Sequence, residues 1–202
     1  GIAPERRGTH SMGMARPEGY GKGRGPIELA GRLHRPVVSF VDSACAFPVI
    51  DAEARGQAEA IGRSIEACLE APIPMIATIS GEGGSGGAIA LAAGDRVLML
   101  EHAIYSVISP EGCASILWRD PLQSATAAEA LRLTADDLRR LRLVDAVIPE
   151  PMGGAQRDPS ATMKSVDAAV WEVLVPLLNL DGPMLRTQRR EKFLDMGRDA
   201  LI

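Results

Sequence analysis

The stretch Gly81-Glu82-Gly83-Gly84-Ser85-Gly86-Gly87-Ala88 decides the fold of this chain. The apolar run before it, Ile73–Ser80, predicts a buried strand, and the small residues from Ser85 to Ala93 predict a short helix. We expect Gly81–Gly84 to form a loop and Ser85 to cap the helix. Backbone N–H groups at a helix N-terminus are unpaired, and glycines let a ligand atom approach them closely. The stretch therefore predicts either a site for a negatively charged oxygen or a tight strand–helix connection.

Three catalytic templates match the same glycines. Gly81-x-Gly-x-x-Gly86 fits the dinucleotide fingerprint, with Glu101 twenty residues after Gly81 in the place of a ribose ligand. Gly83-x-Ser-x-Gly87 fits a nucleophile elbow, in which Ser85 needs a base. The third template is an oxyanion hole built from the N–H groups of Gly86 and Gly87. No lysine follows the glycines, which excludes a P-loop, and no histidine has an evident acidic partner in the sequence; the three are His10, His34 and His102.

Strand and helix patterns alternate along the rest of the chain and predict an α/β fold with a parallel sheet. The further predicted strands are Val37–Val41, Arg96–Leu100 and Val144–Ile148. The further predicted helices are Asp51–Glu70, Pro110–Trp118, a helix after a Thr134/Asp137 capping box, Pro159–Leu178 with an interruption at Pro176, and Pro183–Ile202. The glycine-rich residues 1–25 are predicted to be a mobile or partner-ordered lead-in, and residues 26–202 a single domain.

Composition narrows the class of protein. The 202 residues carry a net charge of -4 and are 46% hydrophobic, which is typical of a soluble globular domain and not of a nucleic-acid or membrane protein. The three cysteines, Cys45, Cys68 and Cys113, are scattered and predict reduced thiols in a cytoplasmic protein. Because no two of them form a Cys-x-x-Cys pair, we expect no metal site in this chain.

Several blocks resemble the alpha subunit of bacterial acetyl-CoA carboxylase carboxyltransferase. The most specific block is Tyr105-Ser-Val-Ile-Ser-Pro-Glu-Gly-Cys-Ala-Ser-Ile-Leu-Trp118. Gly81–Ala88 and Ile148-Pro-Glu-Pro-Met-Gly-Gly-Ala155 resemble the family too, as do Pro17–Tyr20 and Ala52–Ile61. The resemblance runs from about Met12 to near the C-terminus.

The resemblance implies a crotonase-like fold, a stacked β-β-α superhelix that is partial at its N-terminus. It implies transfer of a carboxyl group from carboxybiotin to acetyl-CoA, giving malonyl-CoA for fatty acid synthesis. Biotin is then carried on a separate biotin carboxyl carrier protein, a CoA thioester is the substrate, and a beta-type subunit that holds the zinc completes a hetero-oligomer. Gly86 and Gly87 correspond to the family's oxyanion donors; the implied substrate-binding residues are Gly83, Gly84, Ser85, Cys45, Ala46 and Phe47.

The chain departs from the family in the loop after the first strand. The family carries Asp-Thr-Pro-Gly-Ala-Tyr-Pro-Gly, and this chain has Asp42-Ser-Ala-Cys-Ala-Phe-Pro-Val49. We expect Cys45 and Val49 to hinder a close approach that glycine allows. Two alternatives therefore stay open: a non-catalytic or altered-activity paralogue that acts as a partner scaffold, and a crotonase-like acyl-CoA or serine hydrolase that uses Ser85.

Three side-chain predictions complete the sequence analysis. Ile116 and Trp118 are expected in the core or in a subunit contact. Arg139–Arg142 and Arg186–Arg190 are expected on solvated helix faces. Cys113 is expected to be a buried structural thiol.

Overall fold

The structure, a computed structural model, describes residues 10–198. Within these residues a parallel sheet has the strand order β1-β2-β3-β5, and β4 also pairs with β2. The strands are β1 (Val37–Ser43), β2 (Met75–Gly84), β3 (Arg96–Leu100), β4 (Ile104–Ser106) and β5 (Ala146–Ile148). The predicted α/β class with a parallel sheet is confirmed.

Helices follow the strands and cover the sheet. They are α1 (Pro17–Leu33), α2 (Ile50–Ala54), α3 (Gln57–Glu70), α4 (Ser85–Ala92), α5 (Pro110–Leu117), α6 (Ser124–Leu131), α7 (Ala135–Arg140), α8 (Pro159–Leu177) and α9 (Gly182–Asp195). The Thr134 side chain accepts a hydrogen bond from the Asp137 N–H and caps α7, as predicted. Helix α8 continues through Pro176, which lies so close to its end that only the last turn is affected.

The long strand β2 organises the sheet. Its first half is an unbroken buried run, as expected of a strand covered on both faces, and pairs with β1 and β3. Its second half pairs with β4, so that Gly83 lies opposite Tyr105 and Gly84 opposite Ser106. Because β2 pairs first with β3 and then with β4, its glycine-containing carboxyl end extends beyond β3.

Regular secondary structure begins earlier in the chain than the sequence predicted. Residues 17–25, assigned to the lead-in, form the first half of α1, and residues 1–9 of that prediction lie outside the described residues. Tyr20 and Ile27 are buried on α1, which packs on α3. Spaced seven residues apart, they lie on one face of the helix, and this tertiary contact outweighs the low helix propensity of the glycines.

Two further predictions are corrected, and two elements were missed. The single helix Asp51–Glu70 divides into α2 and α3 at Gly56, whose φ of +82° ends one helix and precedes the next. The strand β4 and the helix α6 were not predicted. Gly81–Gly84, predicted as a loop, continue β2.

A buried ion pair holds α9 against the amino ends of β2 and β3. Arg189, 1% exposed, donates from Nε to Asp95 Oδ1 (2.9 Å) and from Nη2 to Asp95 Oδ2 (2.7 Å). It also donates to the carbonyls of Cys68, Ala71 and Ile73. The prediction that Arg186–Arg190 is a solvated face is therefore wrong at Arg189, because its full set of donors is paired inside the protein.

Lys192 extends this attachment one turn later. Its ammonium donates to Asp145 Oδ2 (2.6 Å), which also accepts the N–H of Val97 at 2.7 Å. Among the described residues no single helix is long and apolar enough to span a membrane; α8 and α9 reach that length and composition only when taken together across a bend of 116°.

Candidate active site at the glycine run

The glycines at the end of β2 let neighbouring chain segments close in. A Cβ added at Gly84 would overlap the carbonyl of Ala44, and one at Gly81 would overlap the carboxylate of Asp42. A Cβ at Gly83 would lie 2.9 Å from the Tyr105 ring. These three positions accept only glycine without movement of a neighbour, which explains the run in packing terms. The dinucleotide template does not fit, because the strand continues where that fingerprint needs a turn.

The loop between β1 and α2 lies directly on this run. An added Cβ at Gly87 would lie 2.8 Å from both Ala46 N and Cys45 C. The close approach is thus allowed by the glycines of α4 and β2 and needs none in the loop. Val49 has an extended backbone (φ -127°) that any residue adopts. The expectation that Cys45 and Val49 hinder this approach is corrected accordingly.

Helix α4 begins differently from the prediction. Gly84 holds the N-cap position, and no side chain caps the helix. Ser85 is the first helical residue, so its hydroxyl is not placed to cap the helix, and the predicted capping role is wrong. Its φ of 53° lies in the left-handed region, which costs a non-glycine residue about 1–2 kcal/mol.

Gly86 is the least tightly packed of Gly83, Gly84, Gly86 and Gly87. It is half-buried, whereas Gly87 is buried against the loop. An added Cβ at Gly86 would meet only two methyl groups of Ile61, both at 3.6 Å. The first N–H groups of an eight-residue helix lack intrahelical acceptors, and the helix dipole adds positive potential there. An oxygen that gains negative charge is the group this arrangement stabilises best.

The carbonyl of Ala15 fixes the loop beside these donors. It accepts hydrogen bonds from the N–H of Phe47 and from Nε2 of Gln57, each at 3.0 Å. The guanidinium of Arg16 lies 4.6 Å above the Phe47 ring and pairs with Asp51. The segment before α1 therefore connects the loop to the start of α3.

Two buried polar atoms near this segment lack a protein partner. They are the hydroxyl of Tyr20 and Oε1 of Gln57. Burial, with a smaller contribution from nearby Cys45, raises the pKa of Tyr20 to about 12. Sequence patterns missed the positioning role of Gln57, because Gln57 binds Ala15 through a tertiary contact with a segment that had been assigned to the lead-in.

Cys45 is a neutral thiol at this site. Its Sγ lies 3.2 Å from the sulfur of Met14. Burial and the charge of Glu82 raise its pKa above the ordinary value, which disfavours a thiolate nucleophile. Phe47, the third predicted loop residue, directs its ring to Arg16 and contributes its backbone to the loop.

A cavity of about 1300 Å³ lies beside the carboxyl ends of β1 and β2 and is closed on one side by α8. Its walls include Phe40, Gly81, Glu82, His102 and Glu150, but neither Gly86 nor Gly87. The predicted donor pair lies at the N-terminus of α4, outside this cavity. The cavity and the glycine pair are separate features of the same end of the sheet.

The histidine in this cavity does not serve Ser85. His102 Nδ1 lies 3.6 Å from Glu150 Oε1 and 4.0 Å from Glu101 Oε2. Glu101 accepts the N–H of Glu150 at 3.1 Å, which uses it in the turn and not as a ribose ligand. Within residues 10–198 no hydrogen bond joins Ser85 to a histidine, so the base that a serine hydrolase needs is not in place. The same residues hold no cluster of three metal-ligating side chains.

The structure thus brings most of the predicted site residues together. Gly84 and Gly87 contact the backbone of the loop that carries Cys45 and Ala46, Ser85 begins the helix, and a side chain at Gly86 would contact only Ile61. Gly83 lies against the Tyr105 ring, two residues before the first residue of α4.

Comparison with known proteins agrees with this geometry. A family model described as acetyl co-enzyme A carboxylase carboxyltransferase-like matches residues 1–197. The chain is 66% identical over 197 residues to the acetyl-coenzyme A carboxylase carboxyl transferase subunit alpha of Gluconacetobacter diazotrophicus, covering 98% of this chain and 62% of that protein. The chain therefore spans about three fifths of the length of this curated relative.

Solved structures share the fold. A Pseudomonas malonate decarboxylase hetero-tetramer in complex with coenzyme A superposes with a TM-score of 0.74 at 19% identity, covering 91% of this chain and 75% of that one. Transcarboxylase 12S, with methylmalonyl-coenzyme A and methylmalonic acid bound, gives 0.68 at 20% identity, covering 82% of this chain and 32% of that one. The predicted crotonase-like fold is confirmed by these neighbours.

Proposed function

The chain belongs to the acetyl co-enzyme A carboxylase carboxyltransferase-like family, and from that premise we propose that it is the alpha-type half of a biotin-dependent carboxyltransferase. In this role it helps to transfer a carboxyl group from carboxybiotin to acetyl-CoA, giving malonyl-CoA. The partners are a beta-type subunit and a biotin carboxyl carrier protein, and the compartment is the cytoplasm, where Cys45, Cys68 and Cys113 stay reduced.

The observation that carries the proposal is the position of Gly86 in the first turn of α4, where the N–H groups have no intrahelical acceptors. Carboxybiotin, when bound, supplies the carboxyl group, and the departure of that group leaves negative charge on the ureido oxygen of biotin. The N–H groups of Gly86 and Gly87 are held by the loop and the helix before such an oxygen arrives, so that they need little reorganisation. A preorganised donor of this kind contributes about 3–4 kcal/mol of transition-state stabilisation.

No side-chain nucleophile is needed for this chemistry. Within residues 10–198 no histidine is hydrogen-bonded to Ser85, and burial and the charge of Glu82 favour the neutral form of the Cys45 thiol. This favours carboxyl transfer over the serine hydrolase alternative. Val49 has an unstrained backbone, and Gly87 leaves room for the loop that carries Cys45. Both observations favour carboxyl transfer over the disabled-paralogue alternative.

The structural neighbours support a CoA thioester as substrate. The malonate decarboxylase structure is a complex with coenzyme A, and the transcarboxylase structure has methylmalonyl-coenzyme A bound. The neighbour that forms a hetero-tetramer also supports assembly with a second kind of subunit.

Co-purification with a beta-type subunit, followed by an assay of the reverse reaction, in which malonyl-CoA donates its carboxyl group to free biocytin and leaves acetyl-CoA, tests the proposal. We expect transfer by the wild-type complex and a loss of at least about 100-fold with Gly86→Val, whose side chain obstructs the donors. Gly21→Val is the matched control, because an added Cβ there meets nothing within 4 Å. A wild-type complex that forms but transfers no carboxyl group would contradict the proposed activity.

A further inference from the structure

The pairing between β1 and β2 is interrupted shortly before the glycine pair. Val41 pairs with Ile79, and the next paired positions are Ser43 and Gly83. Between these two pairs β1 contributes only Asp42, whereas β2 contributes three residues. The two extra residues form a bulge in β2. A bulge leaves backbone groups without partners in the ladder and changes the direction in which the bulged strand continues.

The bulge decides which glycines meet the loop that follows β1. If β2 stayed in step with β1, Ser43 would lie opposite a residue two positions before Gly83. The part of β2 after the bulge is therefore displaced by two residues, which is about 7 Å along a strand. This displacement brings Gly84 and Gly87 against the backbone of residues 44–46, at the N-terminus of α4.

The carboxylate of Asp42 lies directly beside the bulge. Its Oδ1 accepts the N–H of Glu82 at 3.0 Å. The same carboxylate fills the space next to Gly81, because a Cβ there would overlap Oδ1 and would lie 2.9 Å from Cγ. At the start of the bulge the hydroxyl of Ser80 donates to the carbonyl of Val41 at 3.3 Å. Side chains of the two strands thus provide hydrogen bonds across the interrupted ladder.

We propose that Asp42 is a positioning residue, whose carboxylate fixes the bulge and so sets the N-terminus of α4 against the loop. This inference rests on the proposed function, in which the N–H groups of Gly86 and Gly87 stabilise the ureido oxygen of biotin. Gly86 follows Glu82 by only four positions, so that a shift of the bulge is passed directly to the donors. A displacement of about 1 Å at a reacting group costs about 100-fold in rate.

Carboxyl transfer from malonyl-CoA to biocytin by the complex with a beta-type subunit tests this role. Asp42→Ala is expected to lower kcat at least about 10-fold and to leave the KM for malonyl-CoA within about 2-fold. Asp42→Asn is expected to keep kcat within about 3-fold of wild type, because its amide oxygen can still accept the N–H of Glu82.

Asp120→Ala is the matched control. The Asp120 carboxylate also accepts one backbone N–H at 3.0 Å, that of Leu122, but it lies in the turn after α5. This variant is expected to keep kcat within about 2-fold of wild type. A loss of kcat that is specific to Asp42→Ala and is restored by Asp42→Asn separates positioning from general destabilisation.

A double-mutant cycle tests the same contact without an assay of activity. Gly81→Ala is expected to lower the melting temperature by at least about 4 °C, because its Cβ collides with the Asp42 carboxylate. In the Asp42→Ala background the same substitution is expected to cost less than half of that shift, because the colliding atoms are gone. Amide hydrogen exchange of residues 82–87 is expected to be at least about 10-fold faster in Asp42→Ala than in wild type and unchanged in Asp120→Ala.

Either of two results would overturn the inference while leaving the proposed function intact. One is an active complex in which Asp42→Ala keeps the wild-type kcat or loses no more than Asp120→Ala does. The other is an equal cost of Gly81→Ala in both backgrounds. If Asp42→Ala does not fold, Gly81→Ala still displaces the carboxylate, and a wild-type kcat in that variant would count against the inference. A wild-type complex that transfers no carboxyl group contradicts the proposed function, whereas melting and hydrogen exchange still decide whether Asp42 fixes the bulge.

Discussion

Replacing Arg189 by methionine tests how α9 is held to the sheet. Methionine keeps the volume of the side chain but removes every donor, which leaves the Asp95 carboxylate, only 2% exposed, without its cation. Removal of one partner from a buried ion pair costs about 3–5 kcal/mol. Since whole domains are stable by only about 5–15 kcal/mol, we expect a large fraction of the stability to disappear.

Thermal and urea unfolding measure this change. In a chain of this length, each kcal/mol shifts the melting temperature by about 2–4 °C, so that Arg189→Met is expected to melt about 10 °C lower. Arg190→Met is the control, because Arg190 is exposed and its loss is expected to stay within about 0.5 kcal/mol.

A double-mutant cycle with Asp95→Asn separates the ion pair from packing. Asparagine can still accept the N–H of Met75, which donates to Asp95 at 2.7 Å. We expect Arg189→Met to cost about 2 kcal/mol less in the Asp95→Asn background than alone. If the two single effects add, or if Arg189→Met melts like Arg190→Met, the buried pair does not have the role assigned to it.

Three further outcomes follow from the site and the core. Gly84→Ala is expected to destabilise the protein by more than about 3 kcal/mol, because its Cβ overlaps a backbone carbonyl. Gly86→Ala is expected to change the stability by no more than about 1 kcal/mol. Equal melting temperatures for the two variants would refute this contrast. Ser85→Ala is expected to change the stability by less than about 0.5 kcal/mol. A serine-directed fluorophosphonate is expected to leave Ser85 unlabelled, and labelling would favour the serine hydrolase alternative. Burial raises the pKa of Cys68 from 9.0 to about 11. Between these two pH values the folded state keeps the thiol proton, whereas the unfolded state loses it. The contribution of Cys68 to the free energy of unfolding is therefore fully present below pH 9 and is lost as the pH rises through 11. The destabilisation by Cys68→Ala in urea titrations is therefore expected to be about 1 kcal/mol smaller at pH 10 than at pH 7.5, and an equal cost at both values would argue against the shift.

Local signals predicted the elements that pack by simple patterns. The buried run in β2, the strand Arg96–Leu100 and the Thr134 cap were readable because a few adjacent residues determine them. Helix α1 was missed because its glycines lower local propensity, and only its contact with α3 stabilises it.

The candidate site was predicted by residue type and not by geometry. The sequence predicted oxyanion donors at Gly86 and Gly87, a role that stays a prediction, and it wrongly assigned the glycines before them to a loop and the cap to Ser85. Only the structure shows that Gly84 and Gly87 are required by the loop that crosses them. A contact between residues 40 positions apart leaves no periodic trace in a single sequence.

The attachment of α9 also sets the order in which the chain acquires its native structure. Asp95 emerges from the ribosome long before Arg189, which follows 94 residues later. At about 5–20 residues per second the carboxylate waits roughly 5–20 seconds for its cation, and during that time it stays solvated. Helix α9 therefore cannot cover the amino ends of β2 and β3 before Arg189 has been synthesised, and a nascent chain stopped earlier leaves these strand ends exposed to chaperones and proteases.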